Sequence, residues 1–395
     1  MTAFPPGRGD LNEYGFHLAC ALRDNPSVEL TVLADDLEYA EELAGFNVQR
    51  CWRFNSLSGL PRLVRAIRNS EPDIVWFNIG FSTFASNPGL AFLSINLPLL
   101  IRLLGYCTHV TLHTIFERIS LDDAGVRHAG LYRFAGRVAT RLLLWSGDVT
   151  VLMPSFRSEL LKSYSVNPDQ VQFRPHGTFA ATHLAAPLRI LTSEHTILAF
   201  GYWGTYKRLD VLLEAMQEIF RRFPDAVLEV GGTNHPSTPG YLEALQARWK
   251  KSPGIRFLGY VDEDDLPTLF RRARVLVLPY SSAAGTSGVM HQACQYGLPL
   301  VASEIAEFVE IAKEERVAIS FYPHGDAKAL ARHLIDHLES DELCERSSRQ
   351  NLAASQSTPL AGVVESYIEQ FRQRIRARNL EGKARANGTA GGHRL

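Results

Sequence analysis

The chain has 395 residues, 46% hydrophobic and 21% charged, with a formal net charge of -1 and a pI near 6.9. This length exceeds one hydrophobic core and fits two domains. The composition is that of a folded globular protein rather than a disordered or fibrous one, and the balanced charge supplies no global field to draw nucleic acid.

Five scattered cysteines (Cys20, Cys51, Cys107, Cys294 and Cys344) form no C-x-x-C pair. They argue against a disulfide framework or a zinc ribbon and point to a reducing, cytoplasmic setting. The opening MTAFPPGRGDLNEYG lacks the apolar stretch of a signal peptide. From Pro5, the segment PPGRGDLNEYGFHLACAL reads as a glycine-containing turn entering a helix, with Tyr14, Leu18 and Leu22 on its inner face. Gly9, Asn12 and Tyr14 are acceptor-side candidates. Gly9 lets a substrate approach the backbone, the alternative being a glycine that only the turn requires. A Rossmann-like domain normally opens with a central strand before such a turn, yet Met1 stands only a few residues ahead of Pro5. The first strand is therefore expected to be missing, with a start codon further upstream as the favoured explanation.

Strands are expected over 28–33, 73–78, 108–112, 149–153 and 171–173, alternating with amphipathic helical stretches. That rhythm implies β-α-β units and a mainly parallel sheet covered by helices. Asn78 closes the second of these strands and joins the acceptor-side candidates. His113 follows the third and should protrude into a cleft, although a lone histidine at a strand end is also commonly just packed. The apolar stretch 89–104 is interrupted by Asn96, Pro98 and Arg102 and falls short of the ~20 residues that span a bilayer. It reads as a buried or groove-lining helix pair, with peripheral contact at a membrane surface as the alternative.

After Gly177 the rhythm lapses. The expected organisation is an N-terminal Rossmann-like domain over 1–180, a linker over 181–195, a second doubly wound domain over 196–355, a C-terminal helix over 356–375 packing back toward the first domain, and a disordered tail over 376–395. The second domain has expected strands at 196–200, 226–230, 255–258, 275–278 and 298–302. A helix over 207–220 places Leu209, Leu212, Leu213, Met216 and Ile219 on one stripe.

Two of its loops carry chemistry. In AFGYWGTYKR, Gly201 and Tyr202 lie in a glycine-rich turn, and Lys207 and Arg208 stand at a helix N-terminus, the end that cations disfavour. The misfit makes sense if helix terminus and cations converge on a bound diphosphate; a solvated Lys-Arg pair is the bland alternative. In RVLVLPYSSAAGTSGVMHQACQYGLPLVAS, a buried strand runs through a small-residue turn into a helix that Thr286 and Ser287 can cap, with Gly288 in its first turn. Free N–H groups at Thr286, Ser287, Gly288 and Val289 would suit a phosphate, unless the segment is an ordinary strand-to-helix connection. The acidic run Asp262 to Asp265 reads as a solvated helix start, and no metal site is inferred.

The order FGYWGTYKRLDVLLEAM, DAVLEVGG, IRFLGYVDEDDLPTLFRRARVLVLPY and ACQYGLPLVAS resembles the C-terminal half of the retaining glycosyltransferases of family four, which have the GT-B fold. The opening PPGRGDLNEYGFHLACAL and the strand end THVTLHT resemble that family's acceptor domain more loosely. The resemblance implies two Rossmann-like domains facing a central cleft, no cofactor, and a nucleoside diphosphate-sugar as co-substrate. It implies sugar transfer to a hydroxyl acceptor with retention, in glycan, polysaccharide or glycoconjugate biosynthesis. By the same resemblance Lys207 contacts the donor diphosphate, with Arg208 supplying the charge that the family often carries where Tyr202 stands, and His113 lies near the transferred sugar. The family's two glutamates are replaced by Ala284 and Gln292, so Gln292 is left to bond the ribose through its amide. That gap motivates a second reading, a catalytically impaired glycosyltransferase-like binding or scaffold protein. Apolar residues around 77–104 and 113–128 hint at a lipid-linked or hydrophobic acceptor, and a lipid-linked one would place the protein at the inner face of a membrane.

Overall fold

The computed structural model describes residues 1–7, 11–38, 43–81, 83–118, 129–179, 195–235, 238–283 and 285–390, with the side chains of the last helix as far as Leu380. Gly9, Ala284 and all of the expected linker except His195 lie outside the described residues.

The first half opens with α1 (Asn12–Arg23), followed by β1 (Thr31–Asp35), β2 (Asn47–Trp52), α2 (Leu60–Ser70) and β3 (Val75–Ile79). Next come α3 (Pro88–Ser94) and α4 (Leu97–Leu103), the interrupted apolar stretch, which is indeed two short helices. Asn87 caps the first, its side chain accepting from the N–H groups of Gly89 and Leu90. Then β4 (Thr108–Leu112), α5 (Ala129–Ser146), β5 (Asp148–Val151), α6 (Pro154–Ser163) and β6 (Val171–Phe173) complete the half. All pairings are parallel, in two ladders, β1-β2 and β3-β4-β5-β6.

The expected gap in this sheet is filled in an abbreviated way. The Met1 amine donates to the Trp76 carbonyl and Asn78 N–H donates back to the Met1 carbonyl at 2.9 Å. On the other side Thr2 N–H donates to the Leu33 carbonyl at 3.2 Å. Residues 1–4 thus stand between β3 and β1, bridging them without forming a ladder. Edge strand β2, whose polar residues Asn47, Gln49 and Arg50 obscure its alternation, was not expected from the sequence.

The second half runs β7 (Thr196–Phe200), α7 (Leu209–Arg222), β8 (Val227–Gly231), α8 (Tyr241–Trp249), β9 (Ile255–Gly259), α9 (Leu266–Arg272), β10 (Val275–Leu278), α10 (Gly288–Gln295), β11 (Leu300–Ser303), α11 (Ala306–Glu314), β12 (Ile319–Tyr322), α12 (Ala327–Glu339), α13 (Asp341–Ser357) and α14 (Leu360–Ala390). Its six parallel strands follow the order β12-β11-β10-β7-β8-β9, a doubly wound sheet. The aliphatic run of β10 is buried throughout, as a central strand covered on both faces requires.

The chain returns to the first domain through α14. Tyr14, Leu18 and Leu22 of α1 pack against Leu360, Val364, Tyr367 and Ile368; each fully buried side chain of this size contributes roughly 1.5–3 kcal/mol. The crossing is pinned where Thr178 N–H donates to the Thr358 carbonyl and Leu360 N–H donates to the Thr178 carbonyl, both at 2.8 Å. Contrary to the expected disordered tail, α14 continues past Ile375 to Ala390. The stretch is polar but rich in Ala, Arg, Leu, Glu and Lys, all strong helix formers.

Candidate active site

In a doubly wound sheet ligands bind outside the carboxyl ends of the strands where the winding reverses, here between β7 and β10. The loop after β7 contains Gly201, with φ +133. A Cβ on Gly201 would lie 2.8 Å from Lys207 Nζ and 3.5 Å from Val289 Cγ2. One point of backbone, the lysine ammonium and the first turn of α10 therefore meet within a few ångströms. Lys207 ends a short 3-10 turn, is only 8% exposed, and holds Nζ 4.9 Å from the centre of the Tyr280 ring, a distance at which ring and cation attract. Tyr202 sits half-buried in the same loop.

Arg208 does not join this cluster. It adopts a left-handed conformation, and its guanidinium is clamped on Asp210, with Nε 3.1 Å from Oδ1 and Nη2 3.0 Å from Oδ2. The carboxylate two residues on neutralises it, and α7 starts only at Leu209. The residue expected to be a second diphosphate cation is thus paired with Asp210 in this structure.

At α10 the expected side-chain cap is also absent. Ser287 is the N-cap residue, but at φ +54 it is left-handed, and neither Thr286 nor Ser287 caps through its side chain; side-chain capping needs an extended N-cap backbone. The N–H groups of Gly288 and Val289, which a helix leaves without an intrahelical acceptor, remain aimed outward at the helix's positive end. Thr286 is buried beside them.

Across the cleft the N-terminal candidates assemble around His113. His113 Nε2 lies 2.7 Å from Asn78 Oδ1, Asn78 Nδ2 donates to Thr2 Oγ1 at 3.1 Å, and Thr2 Oγ1 donates to the Ala3 carbonyl at 3.1 Å. Followed in that direction, the relay assigns the ring proton to Nε2 and leaves Nδ1 as an acceptor. Burial pushes the His113 pKa down to about 3, so the ring is neutral. Tyr14 stands edge-on to His113 with ring centres 4.6 Å apart, and its hydroxyl donates to the His176 carbonyl at 3.2 Å. Asn12, the first residue of α1, is buried against Gly7.

Three residues here were missed in the sequence. His176, in the chain crossing after β6, stacks on His291 of α10 with ring centres 4.5 Å apart, and its Nε2 lies 4.0 Å from the Cβ position of Gly288. His291 in turn places Nδ1 3.0 Å from the Ser287 carbonyl and Nε2 2.9 Å from Glu315 Oε2. Burial alone lowers the His291 pKa, but the charge and hydrogen bond of Glu315 outweigh it and raise the net value. Burial likewise raises Glu315, and His291 reverses this to a lowered value. The pair clamps the strained N-cap from behind. Burial, then the His291 charge, drive His176 well below its ordinary range. A histidine four residues after Ser287 on an otherwise apolar helix face was the available signal.

The two domains touch directly. Gln292 Nε2 donates to Glu13 Oε1 at 3.3 Å, His17 Nε2 lies 3.5 Å from Glu263 Oε1, and Ser155 N–H donates to Glu310 Oε1 at 2.6 Å. A Cβ on Gly285 would come 2.7 Å from the His113 carbonyl, so only glycine lets the loop after β10 approach His113 this closely. Gly285→Ala is expected to lower the thermal midpoint modestly, because backbone must shift to admit the Cβ, and to lower kcat/KM on the order of 10- to 100-fold at temperatures where the variant is fully folded, by holding the loop away from His113. Unchanged turnover would show that this approach is not used.

Residues 194–340 match the family model described as Glycosyl transferases group 1. Phosphatidyl-myo-inositol mannosyltransferase of Mycobacterium tuberculosis is 32% identical over 156 residues, 38% of this chain and 40% of the relative. D-inositol 3-phosphate glycosyltransferase of Streptomyces coelicolor is 26% identical over 254 residues, 55% of each chain. The aligned part thus spans about half or less of these curated relatives. Among solved structures, HepE of Anabaena in complex with UDP-glucose superposes with a TM-score of 0.69 at 15% identity, over 94% of this chain and 98% of that one. WaaG, a glycosyltransferase involved in lipopolysaccharide biosynthesis, gives 0.66 at 15%, with the same coverage. The chain has the GT-B fold, and part of its C-terminal half matches the group 1 glycosyltransferase model.

Proposed function

We propose that this GT-B protein is a retaining glycosyltransferase that moves a sugar from a nucleoside diphosphate donor to a hydroxyl acceptor in glycan, polysaccharide or glycoconjugate biosynthesis. The observation that carries this reading is the convergence of Lys207 and the α10 N-terminus on the Gly201 backbone at the switch point of the second sheet. A diphosphate is the leaving group whose growing negative charge such a cluster stabilises. The solved HepE complexes with UDP and UDP-glucose make a uridine donor the first to try.

In this reaction the bond from the sugar's anomeric carbon to the diphosphate oxygen breaks and a bond to the acceptor oxygen forms on the face the leaving group vacates. The acceptor's proton passes to the departing diphosphate. Lys207 and the N–H groups of Gly288 and Val289 hold the diphosphate, and Gln292 bonds the ribose. Neutral His113, with Nδ1 open as an acceptor, orients a sugar hydroxyl. Asn78, Asn12 and Tyr14 shape the acceptor side, and contacts between the domains exclude water. We also propose that no metal ion takes part. Of the acidic run, Glu263 is paired with His17 and the three aspartates are exposed at a helix start, and the positive charge is already supplied by the lysine and the helix.

Calorimetry with UDP and GDP, followed by donor hydrolysis and transfer assays with and without EDTA, tests this. Nucleotide binding with EDTA-insensitive turnover and an α-configured product from an α-configured donor is the expected result. Binding without turnover across donors and acceptors would favour the impaired binding protein that the Ala284 and Gln292 replacements motivate.

A further inference from the structure

Three segments far apart in sequence meet at the base of the first domain, at the end of its sheet opposite the cleft. The end of α4, the end of α5 and the turn of α14 from Arg374 to Arg378 enclose a cavity of about 660 Å³ beside Thr108 and Asp148, where β4 and β5 begin. Three arginines line it, Arg102, Arg374 and Arg378, against the single carboxylate of Asp148. Arg374 is spent on that carboxylate, Nη2 to Oδ1 2.7 Å, while Arg378 donates to the Gly105 carbonyl at 2.6 Å across the mouth. Arg102 stands exposed at the end of α4. Three positive charges less one negative leave the cavity with an excess of two.

The rim of this cationic hollow is apolar. Leu103 is 75% exposed, Leu104 48% and Trp145 60%, and Leu380, two residues beyond Arg378, is 68% exposed. The same character continues along the flank through exposed Leu131 and Phe134 of α5. Helices α3, α4 and α5 contain Arg102, Arg133, Arg137 and Arg141 and no Asp or Glu. Isolated exposed leucines are ordinary, but large apolar side chains gathered around an arginine cavity whose one carboxylate is already paired, beside helices that carry no acid, are not.

We propose that this base is a membrane docking surface: the phosphate headgroup of an anionic phospholipid enters the arginine-lined cavity while Leu103, Leu104 and Trp145 dip into the bilayer interface. Arginine stems and an indole suit the boundary between water and hydrocarbon. The cationic excess complements a negatively charged leaflet, to which each nearby arginine adds about fivefold in affinity. A soluble anion alone would account for the arginines but not for the exposed leucines and tryptophan. No helix among the described residues is long and apolar enough to cross a membrane, so the contact is peripheral. The inference goes beyond sugar transfer and does not depend on it.

The test is co-sedimentation of the full-length protein with vesicles of phosphatidylcholine alone or with about one third phosphatidylglycerol, at low and high salt. Binding to the anionic vesicles only, weakened by salt and unaffected by inorganic phosphate at matched ionic strength, is the expected result. Arg102→Gln with Arg378→Gln should weaken it about 25-fold and flatten the salt dependence. Leu103→Ser with Leu104→Ser, both exposed and so neutral for folding, should weaken it on the order of tenfold at unchanged salt dependence. Absence of binding, equal binding to neutral vesicles, displacement by inorganic phosphate, or binding retained by both double variants overturns the proposal.

Discussion

Lys207→Ala is expected to lower kcat/KM on the order of 100-fold or more, with kcat falling further than KM rises. The lysine lies against Tyr280 with its ammonium beside Gly201 and Val289, so its charge reaches the point where the departing diphosphate gathers negative charge. A contact that strengthens as the bond breaks is lost mainly from kcat. Lys207→Met separates charge from packing. It keeps most of the buried hydrocarbon against Trp203 and Tyr280 and should fold as well as the wild type while sharing the kinetic loss. Steady-state kinetics of both variants beside their melting curves give the answer. Near-normal turnover in Lys207→Met would remove the donor site as assigned, and a fall in turnover that merely tracks a fall in melting temperature would reduce Lys207 to a structural residue.

The parallel sheets were legible because short β-branched or aliphatic stretches recur between amphipathic helical ones: β7 and β10 are near-continuous apolar runs, β4 and β6 shorter and more polar, and all four stand where their sequences place them. Elements lacking that signature escaped, such as polar β2 and the four-residue β12. No first strand could be read, since residues 1–4 bridge β3 and β1 through three backbone hydrogen bonds and carry no strand pattern. Within the site, single loops were readable from their glycines and helix starts, as at Gly201 and Gly288. What was not readable is pairing over distance. Arg208 looked free to reach the cleft until Asp210 was seen to hold it. The chain positions of His291 and Glu315, 24 residues apart, gave no hint that they form one buried pair. Side-chain partners are set by tertiary packing, and a one-dimensional pattern carries only those that repeat at helical or strand spacing.

Glu315→Gln is expected to invert the pH dependence of stability, because it removes the charge that keeps His291 protonated. In the wild type the folded pKa of His291 is raised, so its contribution is complete below the unfolded value of 6.5 and is lost as pH rises through the raised one. Glu315 is lowered, so its contribution is present above 4.5 and is lost as pH falls through its own lower value. The pair is therefore complete between these two unfolded values, and the thermal midpoint should decline on the alkaline side. Breaking a buried ion pair costs on the order of 3 kcal/mol, a fall of roughly 6–12 °C for a domain of this size near pH 6. In Glu315→Gln burial outweighs the Ser287 carbonyl, the one raising contribution that remains, and His291 stays neutral, so the alkaline decline vanishes and acid becomes the destabilising direction, since a buried neutral imidazole must then take up a proton. Through the Ser287 carbonyl the same change reaches the N-cap of α10. Nucleotide affinity should weaken in Glu315→Gln and lose its dependence on pH, while His291→Gln, whose amide can still bond that carbonyl, should recover part of the affinity without recovering the pH dependence. Melting curves and nucleotide titrations across neutral pH decide this. An alkaline decline that survives in Glu315→Gln would place the titrating group elsewhere.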